Sequence, residues 1–187
     1  MSIFGVDAKK ENSKIILLPV PWEVTTSYGA GTSRGPEIIN KASQQVDLYD
    51  SHFGSFIDQG VFLETEFGGI AELNSQYKPL AQDSKNTAKI NSASDKVNEA
   101  VYLKTKEILK SNKICGVIGG DHSAPFGALR AYAEHFNNDF GILHFDAHAD
   151  LRESYQGFHF SHASIMNNVV AKLSPAKLVQ VGIRDYC

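Results

Sequence analysis

The sequence predicts an α/β fold built on a mainly parallel sheet, and three observations carry that expectation. Residues 15–20, 114–118, 140–145 and 178–183 are short, largely apolar runs bounded by Pro, Gly or polar residues. Continuous apolar runs of this length suit strands covered on both faces, as strands of a parallel sheet are. Segments with helical spacing separate several of them, and such alternation implies parallel pairing through right-handed crossovers. Finally, Asp and His residues cluster directly after two consecutive runs, and open α/β sheets bind ligands outside the carboxyl ends of their strands.

The elements follow in chain order. Residues 15–20, IILLPV, form the first strand, and the loop WEVTTSYGAGTS after them is rich in Gly, Ser and Thr. Arg34-Gly35-Pro36-Glu37 opens a helix, with Ser33 as its expected cap and Pro36 tolerated in the first turn. From about 47 to 90 the residues hold no sustained period, so loops with at most short strands are expected there. Ile90, Ala93, Val97, Ala100, Val101 and Ile108 recur at helical spacing and predict an amphipathic helix over about 91–111. A strand over 114–118, the tight loop GGDHS, a helix over 124–136 and a strand over 140–145 come next. A helix over 161–173 and a strand over 178–183 complete the pattern, with only Arg184-Asp185-Tyr186-Cys187 after it.

Composition narrows the function classes. The chain has 187 residues, enough for one domain with a sizeable core, and 42% hydrophobic against 21% charged residues is ordinary for a globular protein. A net charge of −3 offers no basic field for nucleic acid or an anionic membrane surface. No apolar run approaches the roughly 18 residues of a membrane span, and MSIFGVDAKKENSK lacks the basic-then-apolar layout of a signal peptide. Cys115 lies inside ICGVI and Cys187 is the last residue, which is no disulfide framework. A reducing, cytoplasmic setting is the expectation.

HFDAHADLRESY, from His144 to Tyr155, concentrates the chemistry. In an extended segment residues i, i+2 and i+4 point the same way, so Asp146, His148 and Asp150 converge if the chain stays extended past its strand. Gly119-Gly120-Asp121-His122-Ser123 ends the preceding strand and faces the same crevice. Carboxylates brought close repel one another unless a cation neutralises them. Imidazole nitrogen with carboxylate oxygen and no thiolate suits Mn²⁺, Fe²⁺ or Mg²⁺, and also admits Zn²⁺. A carboxylate between two ions would bridge them, a two-metal arrangement that activates water near neutral pH. Read separately, GGDHS is also compatible with a strand-to-helix turn or a phosphate-cradling loop.

The remaining histidines divide. His144 alternates with Phe145 inside a strand and reads as a satisfied core or interface residue, while His52 and His135 read as surface residues. His159 and His162, in FHFSHAS, stand where an imidazole near a metal-bound water could shuttle protons. Trp22, Tyr28, Arg152 and Glu153 are candidates for lining the site's mouth.

At GGDHS and FDAHAD the sequence resembles the ureohydrolase family, the manganese enzymes that include arginase and agmatinase. PVPWEVTTSYGAGTSRGPEII is similar to that family's opening strand and loop, whereas residues from about 60 to 95 show no obvious match. The resemblance implies a three-layer α/β/α sandwich with a mainly parallel sheet. It also implies a dinuclear Mn²⁺ site, with His122, Asp146 and Asp150 on one ion, His148 and Asp146 on the other, and Asp146 as the bridge. His162, rather than His159, would be the proton shuttle. The stretch DLRESYQGFHFSHASIM resembles agmatinases, and Arg152 stands where arginases usually carry Asn. The implied reaction is hydrolysis of an agmatine-like guanidino compound to urea and an amine, as in polyamine metabolism, by a homo-oligomer acting on a small molecule. The family's third signature, S-x-D-x-D-x-x-D-P, with two more Asp ligands, does not occur among these residues, nor does its later substrate-orienting Glu. Residues 1–187 thus read as a single ureohydrolase-like domain lacking its C-terminal part. The rival expectation is a catalytically inactive metal-binding or interaction module, and another metal-dependent amidohydrolase is a third.

Overall fold

The computed structural model describes residues 3–185. Strand β1 (Ile15–Val20) runs through the middle of a three-stranded parallel sheet, between β4 (Val61–Leu63) and β5 (Ile114–Gly119). Its pairing with β5 is in register from Ile15 opposite Ile114 to Val20 opposite Gly119, so both strands end flush. Pro19 sits in this central strand without breaking it. The Leu17 carbonyl faces β4, where it accepts from the Glu64 N–H (2.9 Å), and Pro19, two residues on, turns to the same side. There β4 has already ended, so the N–H that proline lacks removes no ladder bond.

Strands β6 (Gly141–Phe145) and β7 (Lys177–Val181) form a separate parallel pair. Among the described residues no ladder joins β5 to β6. Strands β2 (Tyr49–Asp50) and β3 (Gly54–Ser55) make a small antiparallel hairpin whose turn is held by Asp50 Oδ1, which accepts from the His52 and Phe53 N–H groups at 2.7 and 3.0 Å.

Among the described residues five α-helices accompany the strands: α1 (Gly35–Ala42), α2 (Ile70–Tyr77), α3 (Thr87–Lys110), α4 (Phe126–His135) and α5 (Ile165–Leu173). The apolar stripe Ile90, Ala93, Val97, Val101, Ile108 of α3 packs with Ile16, Leu18 and Val20, which are fully buried. Helix α4 serves two cores. Ala128 belongs to that first cluster, whereas Phe126 and Ala133 meet Ile165, Met166, Val169 and Leu173 of α5, over Ile142 and Leu178 of the second strand pair. The opposite face of β6–β7 is bare: Leu143, Phe145, Val179 and Val181 are 61, 70, 39 and 43% exposed. Among the described residues no helix is long and apolar enough to cross a membrane.

The α/β expectation stands, with local corrections. The long helix starts at Thr87 rather than near 91. Strand β4, three residues long, is among the short strands expected over 47–90, whereas helix α2 departs from that reading; α2 is two turns long with a buried Asn74, too short and too polar to present a periodic stripe. Ser33 does not cap α1. Arg34 occupies that position without a side-chain cap bond, and Ser33 donates its N–H to Glu23 Oε2 instead (3.1 Å). The helix expected over 161–173 opens as a 3-10 turn, His162–Ser164, before α5. Trp22 is 1% exposed, a core residue rather than a lining one. Cys115 is buried, as its apolar neighbours imply, and Cys187 lies outside the described residues.

The loops after β1 and β5 touch through glycine. A Cβ on Gly120 would fall 1.9 Å from the Trp22 carbonyl oxygen, an impossible contact with backbone that cannot swing away. Gly120→Ala should therefore lower unfolding stability in urea by about 3 kcal/mol. Gly141→Ala, whose added carbon would lie 3.6 Å from its nearest neighbour, should change it by less than about 0.5 kcal/mol.

Candidate metal centre

Asp121 builds the first wall of the site. Its buried carboxylate accepts from the Thr25 hydroxyl (2.8 Å) and N–H (3.3 Å) through Oδ2, and from the Ser123 N–H (2.9 Å) and hydroxyl through Oδ1. The loop after β5 is thereby tied to the loop after β1, and the next residue, His122, is aimed across to the end of β6. There its Nδ1 lies 2.7 Å from Asp150 Oδ2 and 3.3 Å from Asp146 Oδ2. His144 joins them, its Nε2 3.5 Å from Asp146 Oδ2 and its ring centre 5.2 Å from that of His122. Donor atoms of His122, His144, Asp146 and Asp150 all fall within 4.8 Å of one another.

The chain does not stay extended through this segment. Asp146 Oδ1 accepts from the His148 N–H two residues on (2.8 Å), which turns the backbone, and Asp150 adopts a left-handed φ of 52° that Asp tolerates. The Asp150 carbonyl is then held by the N–H groups of Met166 and Asn167 in the first turn of α5 (3.0 and 3.1 Å). Asp146 and Asp150 consequently converge on His122. His148 stands on the other oxygen of Asp146, its Nδ1 3.3 Å from Oδ1 and its side chain 59% exposed. The far nitrogen of His148 lies 3.8 Å from Asp185.

His162 stands across the cleft. Its Nδ1 meets the Thr25 carbonyl oxygen at 2.8 Å, which accepts only, so Nδ1 carries a proton. In the neutral ring Nε2 is then the acceptor, facing the Ser27 hydroxyl at 3.2 Å. The cleft, about 490 Å³, includes His162, His122, Asp121, Glu23 and the 93% exposed Tyr28 in its lining. His159 does not join them: it is exposed, and its N–H donates to Asn91 Oδ1. Arg152 lies over the Tyr155 ring (5.0 Å), and Tyr155 meets His162 edge-on at 5.5 Å; Glu153 is exposed.

Glu23 is the residue the sequence reading passed over. It is 5% exposed, and one oxygen accepts from the N–H groups of Gly31 (2.6 Å) and Ser33 (3.1 Å) and the Thr32 hydroxyl (3.1 Å). Nothing local in WEVTTSYGAGTS marks it; its acidity inside a Gly/Ser/Thr loop, which needs an acceptor for its N–H groups, is the available signal.

Electrostatics fit a cation. Burial pushes the His122 imidazole down, but Asp150, Asp146 and Asp121 outweigh it and hold its pKa above the ordinary value. Burial pushes Asp146 up, and the His148 N–H with the neighbouring imidazoles brings it below its ordinary value. Carboxylate oxygens gathered around imidazole nitrogen form a hard, oxygen-rich donor set that a divalent cation such as Mn²⁺ matches.

Fold and site together define an α/β protein with a carboxylate–imidazole centre at the carboxyl ends of parallel strands. The chain belongs to the arginase family, which it matches over residues 13–187. It is 34% identical over 175 residues to an uncharacterized 32.2 kDa protein of Methanothermus fervidus, covering 93% of this chain and 53% of that one. It is 30% identical over 184 residues to the N(1)-aminopropylagmatine ureohydrolase of Thermus thermophilus, covering 97% and 55%. The agmatine ureohydrolase of Thermoplasma volcanium superimposes with a TM-score of 0.74 at 23% identity, over 100% of this chain and 55% of that one, which supports the fold. The chain thus spans about half the length of the curated relatives it matches.

Burial pushes Glu23 up, yet the Ser33 and Gly31 N–H groups and the hydroxyls leave its pKa below the ordinary 4.5. A depressed folded pKa contributes stability that is present above the unfolded value and lost as pH falls through the folded one. Glu23→Gln should thus cost roughly 2 kcal/mol in urea unfolding at neutral pH, and the gap to the unmutated chain should narrow steadily below pH 4.5.

Proposed function

We propose that this chain carries the amino-terminal, metal-binding share of a manganese-dependent ureohydrolase that acts on an agmatine-like guanidino compound. The observation that carries the reading is the convergence of Asp146 and Asp150 on His122, which lines a cleft that His162 lines as well. His122, Asp146 and Asp150 would hold one Mn²⁺. Asp146, with one oxygen toward His122 and the other toward His148, suits a bridge to a second ion on His148. Bound Mn²⁺ supplies Lewis acidity that lowers the pKa of water.

The protein's own groups do the rest. Carboxylates in and beside the cleft favour a planar cation over an anion. Nε2 of His162, fixed as an acceptor by the Thr25 carbonyl, takes up a proton and returns it to the departing amine. The balance is one guanidinium and one water to one urea and one alkylammonium ion: a C–O bond forms, a C–N bond breaks, and the proton ends on the amine. The two further Asp ligands that the family resemblance implies are not among these residues. Catalysis is therefore a property of the whole protein, which is proposed to be a homo-oligomer.

Mn²⁺ binding by this chain, followed by loss of the free-ion EPR signal, is the first expected result. Asp150→Asn should weaken it by more than the roughly 10–100-fold typical of losing a supporting residue. Urea release from agmatine and from aminopropylagmatine is measured on the longest natural product carrying these residues. There, His162→Ala should slow turnover roughly 10²–10⁴-fold with Mn²⁺ binding unchanged. Mn²⁺ bound without urea from any guanidino substrate would leave an inactive metal-binding module; no Mn²⁺ bound at all would overturn the reading.

A further inference from the structure

His144 is 6% exposed, and among the described residues its buried Nε2 has no hydrogen-bond partner, lying 3.5 Å from Asp146 Oδ2. Its position beside His122, Asp146 and Asp150 makes it look like one more metal ligand. The atoms on its other side decide otherwise. His144 and Gln180 are direct partners in the β6–β7 register. The Gln180 side-chain nitrogen lies 2.9 Å from His144 Nδ1 and 2.8 Å from the Ala149 carbonyl oxygen. A carbonyl oxygen only accepts, so the atom facing it must be the amide NH₂; turned over, the amide oxygen would confront another oxygen with no hydrogen between them. The second hydrogen of the same NH₂ then points at Nδ1, which must offer its lone pair. In the neutral ring the proton sits on Nε2. A nitrogen that carries a proton has no lone pair for a metal; its N–H makes no hydrogen bond but lies 3.5 Å from the negative oxygen Asp146 Oδ2, close enough for charge–dipole attraction.

We infer that His144 is a positioning residue rather than a ligand: Gln180 fixes its Nε2–H tautomer, and the positive end of that N–H, 3.5 Å from Oδ2, orients the carboxylate of Asp146 by charge–dipole attraction. The inference rests on the proposed role of Asp146 as a metal ligand. It assigns to the β6–β7 pairing a part in the chemistry, because the sheet register sets Gln180 beside His144, and Gln180 in turn governs which nitrogen of His144 is protonated. It also divides the imidazoles of HFDAHAD by function: His148 is left to bind metal, and His144 to hold the carboxylate that His148 would share.

The test uses the full 187-residue chain, labelled with ¹⁵N-histidine. Long-range ¹H–¹⁵N correlation spectra of the metal-free chain read the tautomer directly, the His144 signals being those missing from His144→Phe. A proton on Nε2 alone is expected, and Gln180→Leu, which leaves His144 in place, should abolish that bias. A proton on Nδ1, or on both nitrogens, overturns the inference. With Mn²⁺ bound, pulsed EPR counts the coupled histidine nitrogens. His144→Phe should leave that count unchanged while Mn²⁺ affinity falls roughly 10–100-fold, and Gln180→Leu should weaken affinity in the same direction. A coupled nitrogen lost in His144→Phe would make His144 a ligand and overturn the inference, as would unaltered affinity in both variants. If the unmutated chain binds no Mn²⁺, the metal reading itself fails, a result distinct from any difference between variants.

Discussion

One buried carboxylate holds this site together. Asp121 accepts from the N–H and hydroxyl of both Thr25 and Ser123, and so ties the loop after β5 to the loop after β1. The wall that carries His122 follows from it, because His122 is the next residue. The opposite wall follows too, because the Thr25 carbonyl that receives the His162 proton belongs to the residue Asp121 grips. A buried carboxylate is costly unless its lone pairs are filled by donors, and here donors on both sides fill them. The flush ending of β1 and β5, and a glycine where Trp22 approaches, are what allow the two loops to come close enough.

Acidic groups gathered at the strand ends meet imidazole nitrogen here: burial pushes the His122 pKa down, and Asp150, Asp146 and Asp121 outweigh it and hold it above the ordinary value. The Glu23 loop solves the converse problem: backbone N–H groups of a Gly-rich turn converge on one carboxylate, and the wall of the cleft gains shape from anion binding within the chain itself.

Much of this was legible in the sequence. Apolar runs such as IILLPV and ICGVI announce strands because burial on both faces leaves no room for alternation, and the α3 stripe is long enough for its period to show. The loops of the candidate site were readable because two clusters of Asp and His follow consecutive strands, at GGDHS and FDAHAD. What failed was whatever depends on contacts distant in sequence. The extended geometry imagined for Asp146 to Asp150 gives way to a turn, because a side chain captures the backbone N–H of His148. Ser33 is drawn off its cap by Glu23, ten residues earlier in the chain and close in space. His144 reads as an ordinary core histidine until its strand partner, Gln180, is known.

The bare side of the β6–β7 pair bears on how these residues behave in solution. Leu143, Phe145, Val179 and Val181 line up as a strip on one side of a strand pair. Such strips drive self-association, which scales with the number of molecules present rather than with the strength of any one fold. A surface laid on that strip, from within the protein or from outside it, would take these four side chains out of water.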